Sequence, residues 1–109
     1  MTEQVSIEEQ IKQTVDGNPV VLFMKGNASF PQCGFSGRAI QILQSLDAEF
    51  VTVDVLSNEH VRQGIKEYSN WPTIPQLYVK GEFIGGSDIM TEMYEAGELK
   101  QIVDGLADA

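Results

Sequence analysis

The chain holds one cysteine, Cys33, and the chemistry-bearing part of the sequence surrounds it. It sits in Lys25-Gly26-Asn27-Ala28-Ser29-Phe30-Pro31-Gln32-Cys33-Gly34-Phe35-Ser36, a polar stretch that carries glycine and proline. Most free cysteines act as small buried hydrophobes, and such a core cysteine usually lies in an apolar run. The flanks here argue for a working thiol instead. Thiolate is the reactive and metal-binding form of cysteine, and nearby carboxylates oppose its formation. The 109-residue chain has 16 acids, yet residues 17 to 46 contain none, while Lys25 and Arg38 fall inside that window. The segment around the sulfur is thus free of negative charge. A Cys-x-x-Cys pair at this place would make a dithiol redox motif. The fourth position is Ser36, whose hydroxyl can hydrogen-bond a thiolate but cannot close a disulfide.

The elements around this stretch follow from spacing. Ser6-Ile7-Glu8-Glu9 fits a capping box, with Ile7, Ile11 and Val15 on one helical face. Gly17-Asn18-Pro19 stops that helix. Val20 to Met24 is an unbroken apolar run, as expected of an inner strand covered on both faces. The loop Lys25 to Gln32 then leads to Cys33 and a helix with Ala39, Ile40, Leu43 and Leu46 at helical spacing. Free amides at the start of that helix would stabilise a thiolate. Phe50 to Val53 reads as a second strand, and Asn58 as the cap of a helix carrying Val61, Ile65 and Tyr68. Ser69 to Pro75 is irregular. Gln76 to Val79, Lys80-Gly81 and Glu82 to Ile84 make a hairpin. Gly85-Gly86-Ser87-Asp88 is a turn in which Ser87 or Asp88 can cap a helix carrying Ile89, Met93 and Tyr94. Gly97 separates it from a last short helix with Leu99, Ile102, Val103 and Leu106. This order predicts an α/β fold, a mixed sheet with helices on both faces and its first two strands parallel.

Composition sets the outer bounds. The length predicts one domain, residues 1 to 109, with terminal residues that fray. One cysteine excludes an internal disulfide and a zinc site made only of this chain's thiols. No stretch is long enough to cross a bilayer, and the polar, acidic MTEQVSIEEQ is unlike a secretory or transit signal. These features predict a reducing compartment, the cytoplasm by default. A net charge of −9 argues against nucleic acid and anionic membrane as partners. The lone His60, on a helix, reads as a surface residue. Trp71, just before Pro72, reads as a core or rim aromatic.

Cys33-Gly34-Phe35-Ser36 resembles the signature of the monothiol glutaredoxins of CGFS type. The likeness extends to Phe23-Met24-Lys25-Gly26, to Trp71-Pro72-Thr73-Ile74-Pro75-Gln76 and to Gly85-Gly86-Ser87-Asp88, covering roughly residues 4 to 107. Four motifs in the right order are far more specific than four letters alone. The length is similar to the short form, without the thioredoxin-like extension of longer relatives. The resemblance implies a thioredoxin fold with a four-stranded sheet, and a cis peptide bond before Pro75, facing Cys33. It implies glutathione as ligand. Lys25 and Arg62 would hold the glycine carboxylate. The backbone of Ile74, flanked by Thr73 and Pro75, would pair with the cysteinyl part. Gly86, Ser87 and Asp88 would receive the γ-glutamyl end. Some relatives have a second cysteine where this chain has Ser87, so a disulfide between those two positions is impossible here.

Two functions are implied. The first is binding and transfer of a [2Fe–2S] cluster in iron–sulfur assembly. Four thiolates usually hold such a cluster. A homodimer would supply Cys33 twice, and two glutathiones would complete the set. A BolA-like protein could replace the second subunit, and apo iron–sulfur proteins would be the recipients. The second is a glutathione-dependent thiol–disulfide oxidoreductase, an enzyme with Cys33 as nucleophile. The longer loop Gly26 to Gln32, thought in this family to hinder that geometry, favours the carrier. A third reading, a regulatory module sensing iron through a partner, would use the same site.

Overall fold

The computed structural model describes residues 6–107. Residues 1–5 and 108–109, the ends expected to fray, lie outside the described residues. Ser6 opens α1 (Ile7–Gly17): its Oγ accepts a hydrogen bond from the Glu9 amide at 3.1 Å, one half of the expected capping box. β1 (Val20–Met24) is buried along its whole length. The reason lies in strand alternation. Val20, Leu22 and Met24 join the core beneath α2 (Gly34–Ser45) and two later helices, while Val21 and Phe23 join a second core with Ile11, Val15 and Ile65. An unbroken apolar run is therefore required by two cores and one strand.

β2 (Val51–Asp54) pairs parallel to β1. α3 (Glu59–Ser69) follows, its Asn58 cap accepting from the amides of His60 and Val61 at 3.0 and 3.2 Å. β3 (Gln76–Val79) and β4 (Glu82–Gly85) form the hairpin, turning through Lys80 and Gly81, both at positive φ. β3 runs antiparallel to β1, and the sheet order is β2-β1-β3-β4. α4 (Ser87–Glu95) and α5 (Glu98–Ala107) complete the chain, separated at Gly97 with φ 79°. This is the four-stranded mixed sheet, with helices on both faces, that the sequence predicts.

Three local expectations are corrected. The second strand starts at Val51, and Phe50 instead packs against the core from the loop. β4 runs into Gly85, expected as part of a turn. The cap of α4 is Gly86, in extended backbone, and neither Ser87 nor Asp88 caps it. Both are helical residues of the first turn. Ser87 and Met90, three apart, are buried on the inward face, which turns Ile89 outward to 37% exposure. Met90 is thus the core residue of this helix, a role the sequence reading did not give it.

Candidate functional site: a thiol beside a cationic groove

Cys33 ends the loop after β1 and is the N-cap of α2, in extended backbone with no side-chain cap bond. Its side chain is partly exposed. Burial pushes the thiol up. The backbone amides of Ser36 and Phe35, the Ser36 hydroxyl and the Lys25 ammonium act the other way and prevail, so Cys33 ionises below the ordinary thiol value. Ser36 itself is fully buried, and its Oγ accepts the Lys25 amide at 3.1 Å. One hydroxyl therefore ties the end of β1 to the start of α2 and bears on the sulfur.

The loop is compact. Gly26, at φ 87°, bridges to Pro31, and Asn27 and Phe30 exchange backbone bonds at 3.2 and 3.3 Å. Asn27 Oδ1 accepts from the Ser29 and Phe30 amides, at 3.0 and 2.9 Å. The Gln32 amide returns to the Lys25 carbonyl at 2.8 Å. Asp54, at the end of β2, holds the base of the loop by accepting from the Gly26 amide at 3.0 Å and from Leu56 at 2.8 Å. The sequence reading missed Asp54. A carboxylate ending a strand beside a turn was the available signal.

Next to the thiol lies a groove of about 390 Å³. Lys25, Arg62, Thr73, Ile74, Pro75, Gly86, Ser87 and Asp88, all singled out from sequence, line it. Cys33 is not among its lining residues; Lys25 and Phe35, which bear on its thiol, are. The Ile74–Pro75 peptide bond is cis, as the resemblance implies. Lys66 and Trp71 also line the groove. Lys66 is a third cation that the sequence reading passed over. Its place four residues after Arg62, on the same helix face, was the signal. Trp71 is exposed at the rim, its ring 5.9 Å from that of Phe83. His60 is exposed on α3, as expected of a surface residue. Among the described residues the ion pairs are Lys12–Asp16 and Lys100–Asp104, so no groove cation is neutralised by one.

Three cations and one acid around a groove suit a small anion that also carries an ammonium. Such an arrangement, with a half-exposed thiol at a helix start on a four-stranded mixed sheet, defines a thiol protein of the thioredoxin fold. Residues 20–84 match the glutaredoxin family. The chain is 52% identical over 105 residues to the uncharacterized monothiol glutaredoxin ycf64 of Porphyra purpurea, covering 96% of this chain and 98% of that one. The solution structure of reduced poplar apo GrxS14 superposes with a TM-score of 0.78 at 53% identity, covering 92% of each chain. A buckwheat glutaredoxin–glutathione complex superposes at 0.80 with 22% identity, covering 91% of this chain and 88% of that one, a likeness of fold alone. This chain belongs to the glutaredoxin family, in its monothiol form. No helix among the described residues is long and apolar enough to cross a membrane.

Proposed function

We propose that the chain is a single glutaredoxin domain that binds glutathione and carries a [2Fe–2S] cluster as cargo. The observation that carries this reading is one accessible, acidified thiol beside a cationic groove, in a chain with no second thiol. Among the described residues no group of three or more His, Cys, Asp or Glu side chains could hold a metal ion. A four-thiolate cluster must then take one ligand from this chain and the rest from elsewhere. The second Cys33 of a homodimer and two glutathione thiolates make four. Glutathione has two carboxylates and one ammonium. Lys25 and Arg62, joined by Lys66, suit its glycine carboxylate. The Ile74 backbone suits its cysteinyl unit, and Asp88 its ammonium. Half the ligands are then exchangeable, which suits release to an apo iron–sulfur protein. A BolA-like protein could take the place of the second subunit. The exposed apolar rim of Phe30 (71%) and Phe35 (64%) would favour such pairing. The compartment proposed is the cytoplasm or an organellar matrix, where thiols stay reduced.

The readier ionisation of Cys33 also favours a second reading, an oxidoreductase. The thiolate would attack the glutathione sulfur of a mixed disulfide and release the substrate thiol. A second glutathione thiolate would then attack the enzyme-bound glutathione, releasing glutathione disulfide and restoring Cys33.

Anaerobic reconstitution with iron, sulfide and glutathione separates the two. The carrier reading expects a coloured dimer with about one cluster per two chains. Colour should be lost without glutathione or in Cys33→Ser. A colourless product under every condition, together with rapid iron-independent turnover of a glutathionylated disulfide, would instead establish the oxidoreductase.

A further inference from the structure

Gln76, the first residue of β3, is completely buried, yet it is a polar side chain in an apolar layer. All its hydrogen-bonding groups face defined partners. Nε2 donates to the Trp71 carbonyl and to the Thr73 carbonyl, both at 3.2 Å. Oε1 accepts from the Tyr78 hydroxyl at 3.2 Å. An amide nitrogen has two protons, and both are directed at the irregular segment Trp71 to Pro75, which lines the groove. Those two carbonyls flank Pro72, which has no amide to help fix the segment. The other end of the network is rigid. The Tyr78 ring packs against Phe23, Tyr68 and Phe83 at centroid distances of 5.6, 6.0 and 5.5 Å. Burial raises the Tyr78 hydroxyl to about 12, so it remains a donor throughout the physiological range.

We propose that Gln76 is a positioning residue for the groove: it links the rigid aromatic core at Tyr78 to the carbonyls of Trp71 and Thr73, and so presents the segment from Trp71 to Pro75 to a bound ligand. No apolar residue of the same length can do this, because both carbonyls would lose the donor that fixes them from the buried side. Gln76 is not among the residues that line the groove, and it acts through the segment it holds. That the ligand is glutathione rests on the function proposed above, but the fixing of the segment does not.

The test uses the full chain and two variants. In Gln76→Met the length is kept and both donors are lost. Glutathione affinity, measured by calorimetry, should fall roughly fivefold or more. The pH profile of Cys33 alkylation should stay unchanged, since Gln76 does not bear on the thiol. In Tyr78→Phe both donors to the segment remain but the anchor at Oε1 is lost, and affinity should fall by less than in Gln76→Met. A purely structural Gln76 would lower the melting temperature of Gln76→Met and leave the affinity of the folded protein as it was, which would overturn the proposal. If Gln76→Met does not fold, the wild-type chain decides. NMR should show its Gln76 side-chain amide protons protected from solvent exchange, with couplings across both hydrogen bonds. Exchange at the rate of a free amide would overturn the proposal. A wild-type chain that binds no glutathione but keeps those protected protons would refute the ligand and leave the positioning role standing.

Discussion

Ser36 hydrogen-bonds the thiol without being able to close a disulfide with it. It occupies the position of the missing thiol, is wholly buried, and its Oγ already accepts the Lys25 amide. The hydroxyl proton is thereby free to point at the Cys33 sulfur, and this contact lowers the pH at which the thiol ionises. Ser36→Ala should move the midpoint of the alkylation-rate profile upward. The sign follows from the thiolate: removing a donor to it favours the protonated form, so the rate at neutral pH falls. The same linkage bears on stability. A depressed thiol stabilises the folded chain fully above the ordinary thiol value, and this contribution is lost as pH falls through the lowered one. Rates measured across pH 5 to 10 in both proteins check the shift. An unmoved midpoint would mean that the backbone amides and Lys25 set it without the hydroxyl.

Among the elements, the helix starts divide into two kinds. α1 and α3 are capped by Ser6 and Asn58, whose side chains engage first-turn amides. α2 and α4, which begin at Cys33 and at the groove, have no side-chain cap bond. Their first-turn amides are left for the sulfur and for whatever enters the groove. The loop feeding α2 is equally specialised. Gly26 has φ 87°, and a Cβ there would meet the Gln32 Cγ and amide nitrogen at 2.8 Å. Gly26→Ala therefore faces both backbone strain and backbone collision, which a flexible side chain cannot relieve. It should cost about 1–3 kcal/mol of unfolding free energy. Denaturant titration gives the number. Because the loop ends at Cys33, the variant should also slow alkylation of the thiol.

Across the whole molecule, charge is segregated. The net charge is −9, yet three of the seven lysines and arginines line one groove with Asp88 as the single acid. The two ion pairs among the described residues, on α1 and α5, are exposed and lie outside that groove, so they contribute little to either stability or binding. An acidic body would repel an anionic ligand everywhere except at this cationic groove. Glutathione affinity should accordingly fall with added salt, and Lys25→Glu should both weaken binding and flatten that dependence. Calorimetry at about 50 and 500 mM salt reads both effects. Equal affinity in the variant would remove Lys25 from the site.

How far the sequence reached depends on the range of the interaction involved. Helix caps at Ser6 and Asn58, the buried β1 run and the hairpin are set by neighbours in the chain, and local pattern reports them. The same holds for the solitary Cys33 in its acid-free window and for the family motifs that flank it. Other features depend on elements distant in sequence. Asp54 supports the Cys33 loop only because β2 lies beside β1. Met90 replaces Ile89 in the core because α4 begins at Ser87 rather than after it. Lys66 reaches the groove only because α3 packs beside the segment at Trp71 to Pro75. Gln76 closes one of those motifs, but what its amide holds is visible only once the fold brings Trp71, Thr73 and Tyr78 around it. The sequence by itself determined where the single thiol lies and which backbone elements flank it, since short-range sterics and hydrogen bonding suffice for that. Only the tertiary structure decided which cations line the groove beside it and which buried amide bonds the segment along that groove, because those groups meet through space and not along the chain.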